Sequence, residues 1–384
     1  MNFLFPYMAR WQTANYTRYH GLLKGLAQLG HNVIVLQPPR LDSPETNFLE
    51  VNNEIPSGIR VIEIEVPDIL WKSSLPLEKL VKKGSYSLIT QRRLKDLIRT
   101  YRIDVLMLYN LPQCVMLFGA RCFSVFDVAD DLLAMFAYEL GKVSSPGLLY
   151  CGEMMFRTML RRSDLNLVAS RELQLQIEEP TTLLPNGADL DEIENLEMIE
   201  LPVDRASPVV GYMGAFEYFA DMDMVLDAAA ALPDVVFWLV GGGRDFSKIK
   251  SRVEKEQLKN VHLPGPVDHK TGLAMMAAAD ICLLPRRSDA FSHAACPLKL
   301  FEYAALGKPV VSTPMSEVQR IAEGFAFFVR DHDEMKTTIS CLINNPDSVK
   351  SKIQRGLELV RHTYNWRTIT QKFVQAIEQR LTLF

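Results

Sequence analysis

The chain has 384 residues, 48% of them hydrophobic and 23% charged, with a formal net charge of −4. That length is generous for one core and suits two domains, and the composition is that of a globular enzyme, not of a disordered or fibrous chain. The charge balance gives no reason to expect a nucleic-acid partner, no apolar run approaches the roughly 20 residues that span a bilayer, and Met1-Asn2-Phe3-Leu4-Phe5-Pro6 does not open a signal peptide.

The first half alternates strands and helices. Asn2–Phe5 reads as a short strand, Tyr16–Leu29 as a helix with apolar positions at Leu22, Leu23, Leu26 and Leu29, and His31–Leu36 as the next strand. Strand, helix, Gly30 and strand make a βαβ crossover, which implies parallel pairing. Val61–Val66 alternates with period two, as a half-buried strand does. From Lys72 to Arg102 there are nine basic residues and two acidic ones, with Leu75, Leu77, Leu80, Val81 and Leu88 interleaved and Trp71 just before. This basic stretch, 72–102, is either a face for an anionic membrane surface or a solvated helix with an apolar underside. Strands follow at Asp104–Tyr109, Ser124–Asp127 and Leu165–Ser170.

Pro185-Asn186-Gly187-Ala188-Asp189 is a turn, and the acidic stretch running on to Pro208 reads as a linker. The expected division is 1–200 and 201–365, with a last helix over 366–384. The second half repeats the pattern: strands at Val209–Met213, Val235–Val240, Val261–Leu263, Ile281–Leu284 and Val310–Val311, and a helix over Trp366–Leu381. The six cysteines (114, 122, 151, 282, 296 and 341) show neither pairing nor metal spacing, so reduced thiols and a cytoplasmic setting are expected.

Two places carry chemistry. In Cys296-Pro297-Leu298-Lys299-Leu300-Phe301-Glu302-Tyr303-Ala304-Ala305-Leu306-Gly307-Lys308-Pro309, Pro297 suits the first turn of a helix and Gly307 ends it. Lys299 and Glu302 project from one face. A cation at a helix N-terminus can hold a diphosphate, and a carboxylate one turn on can accept two hydrogen bonds from a diol such as a ribose. Together they suit a nucleoside diphosphate. The second place is Asp127-Val128-Ala129-Asp130-Asp131, at the carboxyl end of a buried strand, where a carboxylate of raised pKa can act as a general base. Asp130 is the preferred base, Asp131 orients or caps the following helix, and the choice among the three stays open.

The segment CPLKLFEYAALGKPVVST resembles the signature of GT-B glycosyltransferases of group 1. The resemblance implies two Rossmann-like, doubly wound parallel-sheet α/β domains facing a cleft, a last helix crossing back to the first domain, and a nucleotide-sugar donor in the second. It carries a diphosphate contact onto Gly214, in Gly211-Tyr212-Met213-Gly214, and a nucleobase contact onto the backbone around Val267. Relatives often have cations just after that glycine; here Ala215-Phe216-Glu217-Tyr218 follows, so Lys299 and Arg286 are the candidates for phosphate charge. Gly241-Gly242-Gly243 reads as a turn near the nucleotide. Many relatives have a second Glu where this chain has Ala294, and a catalytic His in the region of Asp127–Asp131; the departures point to inverting transfer with an Asp base.

His293, beside Ala294, is a candidate contact to the donor sugar. The usual N-terminal Gly-rich loop is replaced by Met8-Ala9-Arg10-Trp11-Gln12, so Trp11 and Arg18 are expected on the acceptor side, Trp11 either stacking on a sugar or packed inside. His262 and His269 read as surface or loop residues. No metal or other cofactor is expected, the nucleotide-sugar being a substrate. The expected acceptor is a saccharide or lipid-linked saccharide of bacterial cell-surface polysaccharide synthesis, at the inner face of the membrane. The rival readings are a nucleotide-sugar epimerase and a non-catalytic sugar- or partner-binding protein; an NAD-dependent enzyme lacks its glycine fingerprint.

Overall fold

The computed structural model describes residues 1–13, 15–39, 54–67, 70, 78–119, 121–197, 199–202 and 207–382. They group into two compact units: Met1–Ala14, Tyr19–Pro185 and Thr370–Phe384 form the first, Asn15–Arg18 and Asn186–Ile369 the second. The main boundary therefore lies at Pro185/Asn186, whereas the sequence reading set it at 200/201. The Trp366–Leu381 helix changes unit between Ile369 and Thr370.

The described strands of the first unit are β1 (Asn2–Pro6), β2 (Asn32–Gln37), β3 (Ile59–Glu63), β4 (Val105–Leu108), β5 (Phe123–Val128), β6 (Leu165–Val168) and β7 (Thr182–Leu183). They form one parallel sheet in the order β3-β2-β1-β4-β5-β6-β7. Its central strands β1, β4 and β5 are buried along almost their whole length, as in parallel sheets covered by helices on both faces. Leu22, Leu23 and Leu26 of the Arg18–Gln28 helix are buried, and Gly30 ends the helix in a left-handed turn at φ +83°. β3 lies two residues earlier than its alternation indicated; Ile64 and Val66 beyond it are still buried. From the other end of the chain, Phe373 packs in the same core, its ring 6.1 Å from that of Phe3.

The basic stretch is only partly described: Trp71, Lys72, Leu75 and Leu77 lie outside the described residues. From Glu78 to Tyr101 it is a helix that buries Tyr86, Ser87, Thr90 and Leu94. Lys82 pairs with Glu78, and Lys83 with Glu139 at 2.6 Å. Leu88, expected on the apolar underside, is instead exposed.

The second unit has β8 (Val209–Met213), β9 (Val236–Val240), β10 (Val261–Gly265), β11 (Ile281–Leu284), β12 (Val310–Ser312) and β13 (Phe327–Phe328). They too are parallel, in the order β10-β9-β8-β11-β12-β13. Val210, Tyr212, Phe237, Leu239, Leu283 and Val311 form the centre of its core. In both sheets the strand order reverses beside the first strand, between β1 and β4 and between β8 and β11. Such a switch point opens a crevice at the carboxyl ends, where ligands of open α/β sheets bind. All six cysteines are free thiols, and among the described residues no helix is long and apolar enough to cross a membrane.

Candidate functional site

The switch point of the second unit gathers the residues expected to hold a diphosphate. Gly214 directly follows β8, and Arg286 follows β11. The Leu298–Ala305 helix brings Lys299 to the same place: a Cβ on Gly214 would land on Lys299 Cε and Nζ. The glycine thus makes room for a side chain. Its own N–H donates to Val240 O at 2.9 Å. Gly241 is needed for the same crowding: a Cβ there would strike the Gly214 carbonyl. This places the glycine turn after β9 directly against the Gly214 loop. Tyr303 joins the helix to β8, its hydroxyl accepting from Met213 N at 2.9 Å.

The two cations flank Tyr212. Lys299 Nζ stands 5.4 Å from its ring centre, while the buried Arg286 guanidinium lies 4.6 Å from the Phe219 ring and 5.7 Å from Phe291. Burial, then the neighbouring Arg286 charge, lower the Lys299 pKa to about 8 against the pull of Glu302. Among the described residues Lys299 has no hydrogen-bond or ion-pair partner. Like charges held half-buried beside each other are costly until an anion joins them.

Glu302 is 3% exposed, and Oε1 accepts from His269 Nε2 at 2.8 Å. His269 Nδ1 is 3.4 Å from Glu192 Oε2. The imidazole lies flat on Tyr16, with ring centres 3.6 Å apart and planes 4° apart. His269 is therefore a buried member of the site, which corrects its reading as a surface residue. Burial opposes its charge, but the carboxylates, Glu302 foremost, outweigh it and raise its pKa to about 9. Sequence reasoning missed Tyr16 and Glu192 as well; their one signal was spatial, since they come from distant stretches of chain.

Val267 leads into this cluster, two residues before His269 in the turn from β10 to the His269–Ala278 helix, where Asp268 caps Thr271 N at 2.9 Å. Pro297 is the N-cap residue, one place before the first turn expected of it, and Leu298 is half-buried. His293 has protein partners at both nitrogens: Ser316 N donates to Nδ1 at 3.1 Å, and Ser288 Oγ is 3.1 Å from Nε2. Arg18 is not an acceptor-side residue. It is buried in the second unit, donating to Asn186 Oδ1 at 2.8 Å, and Asn186 Nδ2 donates to the Cys296 carbonyl at 2.5 Å. That relay fixes the chain just before Pro297.

In the first unit Asp127 is 1% exposed within β5, Asp130 is half-buried just beyond it, and Asp131 caps the Leu132–Leu140 helix by accepting from Ala134 N at 2.9 Å. The structure brings all three to the carboxyl end of β5. Trp11 presents no face to a sugar. It is 1% exposed, its ring is 4.4 Å from His20, and Nε1 donates to the Glu54 carbonyl at 3.0 Å. The loop after β1 is an aromatic plug of Tyr7, Trp11, Tyr19 and Tyr109. Among the described residues no three His, Cys, Asp or Glu could share a metal ion.

Two parallel, doubly wound sheets, each with a switch-point crevice, define a GT-B protein. Residues 207–345, a stretch within the second unit, match the family described as glycosyl transferases group 1. A putative teichuronic acid biosynthesis glycosyltransferase, TuaH of Bacillus subtilis, is 27% identical over 175 residues, which is 44% of this chain and 43% of that protein. Among solved structures, sucrose-phosphate synthase from Thermosynechococcus elongatus superposes with a TM-score of 0.79 at 18% identity, covering 100% of both chains. Anabaena Alr3699/HepE in complex with UDP-glucose gives 0.69 at 16%, covering 99% of this chain and 100% of that one.

Proposed function

We propose that the protein transfers a sugar, a hexose in the first instance, from a nucleoside diphosphate donor to an acceptor hydroxyl. The observation that carries this is the pair of cations, Arg286 buried and Lys299 half-buried, set around Gly214 and Tyr212 at the switch point of the second unit. Fixed cations at the leaving group lower the barrier where charge develops. They take the place that a divalent ion fills in metal-dependent transfer. Glu302 receives the ribose hydroxyls and Val267 lies beside the base; Asp130 takes the acceptor proton as the acceptor oxygen bonds to the anomeric carbon from the face opposite the diphosphate, whose bond to that carbon breaks, so transfer inverts the anomeric centre.

The name of the Bacillus subtilis relative and the UDP-glucose complex of Alr3699/HepE support a UDP-hexose donor and a cell-surface polysaccharide or glycolipid product. A lipid-linked acceptor would bring the enzyme to an anionic membrane, and the exposed basic residues of the Glu78–Tyr101 helix support that contact. A thermal-shift screen of UDP-, GDP- and ADP-sugars tests the reading, because a bound donor raises apparent stability by mass action. At least one donor stabilises the wild type, Lys299→Ala abolishes the shift, and Asp130→Asn keeps it while stopping nucleotide release. A full shift in Lys299→Ala, or none in the wild type, refutes it; a shift without turnover would favour a binding protein.

A further inference from the structure

Glu302 is held by a neighbouring side chain. Its Oε1 is bonded to His269, and among the described residues its Oε2 has no hydrogen-bond partner. His269 in turn is fixed on three sides: Glu302 at Nε2, Glu192 facing Nδ1, and the Tyr16 ring against one face. Asp189 caps the turn that carries Glu192, by accepting from Glu192 N at 3.1 Å. An ionised carboxylate can accept two hydrogen bonds, and a cation between Glu192 and Glu302 answers their charge; the raised pKa of His269 agrees with that placement.

We propose that His269 is a positioning residue for nucleotide recognition: clamped between Glu192 and Glu302 and kept flat by Tyr16, it fixes Glu302 Oε1 so that Oε2 is presented to the ribose hydroxyls of the donor. The inference rests on the nucleotide reading given above and deepens it. It assigns to one imidazole the discrimination of ribo- from deoxyribonucleotides, because a hydrogen bond to a charged acceptor is worth about twice a neutral one. Glu302 supplies that acceptor only while its second oxygen is held in place and its charge is answered.

The test measures binding, by calorimetry on the full chain, of the diphosphate that stabilises it most among UDP, GDP and ADP, and of its 2′-deoxy counterpart. The wild type prefers the ribonucleotide by about tenfold or more. His269→Leu, of similar bulk but without a donor, brings that ratio to within about twofold, as Glu302→Gln does, and the double variant loses nothing further. His269→Gln retains a donor toward Glu302 and recovers part of the preference. Should His269→Leu fail to fold, His269→Met, also without a donor, reads the same ratio. Equal loss of both ligands with the ratio intact would show a merely structural role and overturn the proposal. A wild type that binds no nucleoside diphosphate overturns the functional reading itself, so the two failures are distinguishable.

Discussion

Raising the pH from 7 to 9 should strip the donor pocket of one positive charge. Lys299 titrates at about 8 because burial and Arg286 disfavour its ammonium form. At pH 7 about nine-tenths of the molecules carry that charge; at pH 9 about one in eleven does. A bound diphosphate favours the ammonium, so above pH 8 binding must take up a proton. Affinity for a nucleoside diphosphate therefore falls by about tenfold between pH 7 and 9, or about 1.4 kcal/mol. The phosphate itself contributes no slope, since its last pKa is about 6. His269, titrating at about 9, adds a smaller drop at the upper end, and Lys299→Arg, which stays charged throughout, isolates that part. The stability of the free protein moves the opposite way. A base whose folded pKa lies below its unfolded 10.5 destabilises the fold while charged, fully below pH 8, and the penalty fades as pH rises toward 10.5. Lys299→Met should accordingly raise the melting temperature of the unliganded protein at pH 7 while abolishing binding. Calorimetric titrations at half-unit intervals, on wild type and Lys299→Arg, decide the matter. Equal slopes in the two proteins, or wild-type affinity that stays flat, would refute the assignment of Lys299.

Two other outcomes are expected. Gly214→Ala displaces the flexible end of Lys299, so it folds but loses the donor-induced thermal shift, whereas Gly241→Ala meets the rigid Gly214 carbonyl and lowers the melting temperature even without ligand; intact donor binding in Gly214→Ala would contradict the close approach. For the membrane contact, Arg92, Arg93, Lys95 and Arg99 are exposed along the Glu78–Tyr101 helix, each worth about 1 kcal/mol near an anionic bilayer. Sedimentation with phosphatidylglycerol vesicles should fall with added salt and vanish in Arg92→Glu/Arg93→Glu/Lys95→Glu; binding that ignores lipid charge would remove this part of the reading.

The sheets were legible because parallel strands buried on both faces read as unbroken apolar runs; Val209–Met213 and Ile281–Leu284 matched to the residue. The Lys299–Glu302 helix was legible for a different reason: its two working side chains are local neighbours, fixed by helical spacing. What could not be read was contact across long separations. Trp11 and Arg18 carry no local mark of burial; Glu54, His20 and Asn186 determine their fate. His269 looked like a loop residue because Tyr16, Glu192 and Glu302, which surround it, arrive from three other segments. The closeness of Gly214 to Lys299 is of the same kind: 85 residues apart in the chain, they meet because the glycine's bare Cα faces the lysine's end.

Neither unit is one continuous length of polypeptide. Thr370, lodged against Gly25, and Phe373, beside Phe3, belong to the first unit, yet the ribosome makes them only after Asn186–Ile369. The nascent first unit must wait, with an apolar slot beside β1 unfilled, through the synthesis of all of that stretch. Its final closure couples the two folding events in time, and a chain interrupted anywhere before Thr370 leaves that slot exposed for quality control to recognise.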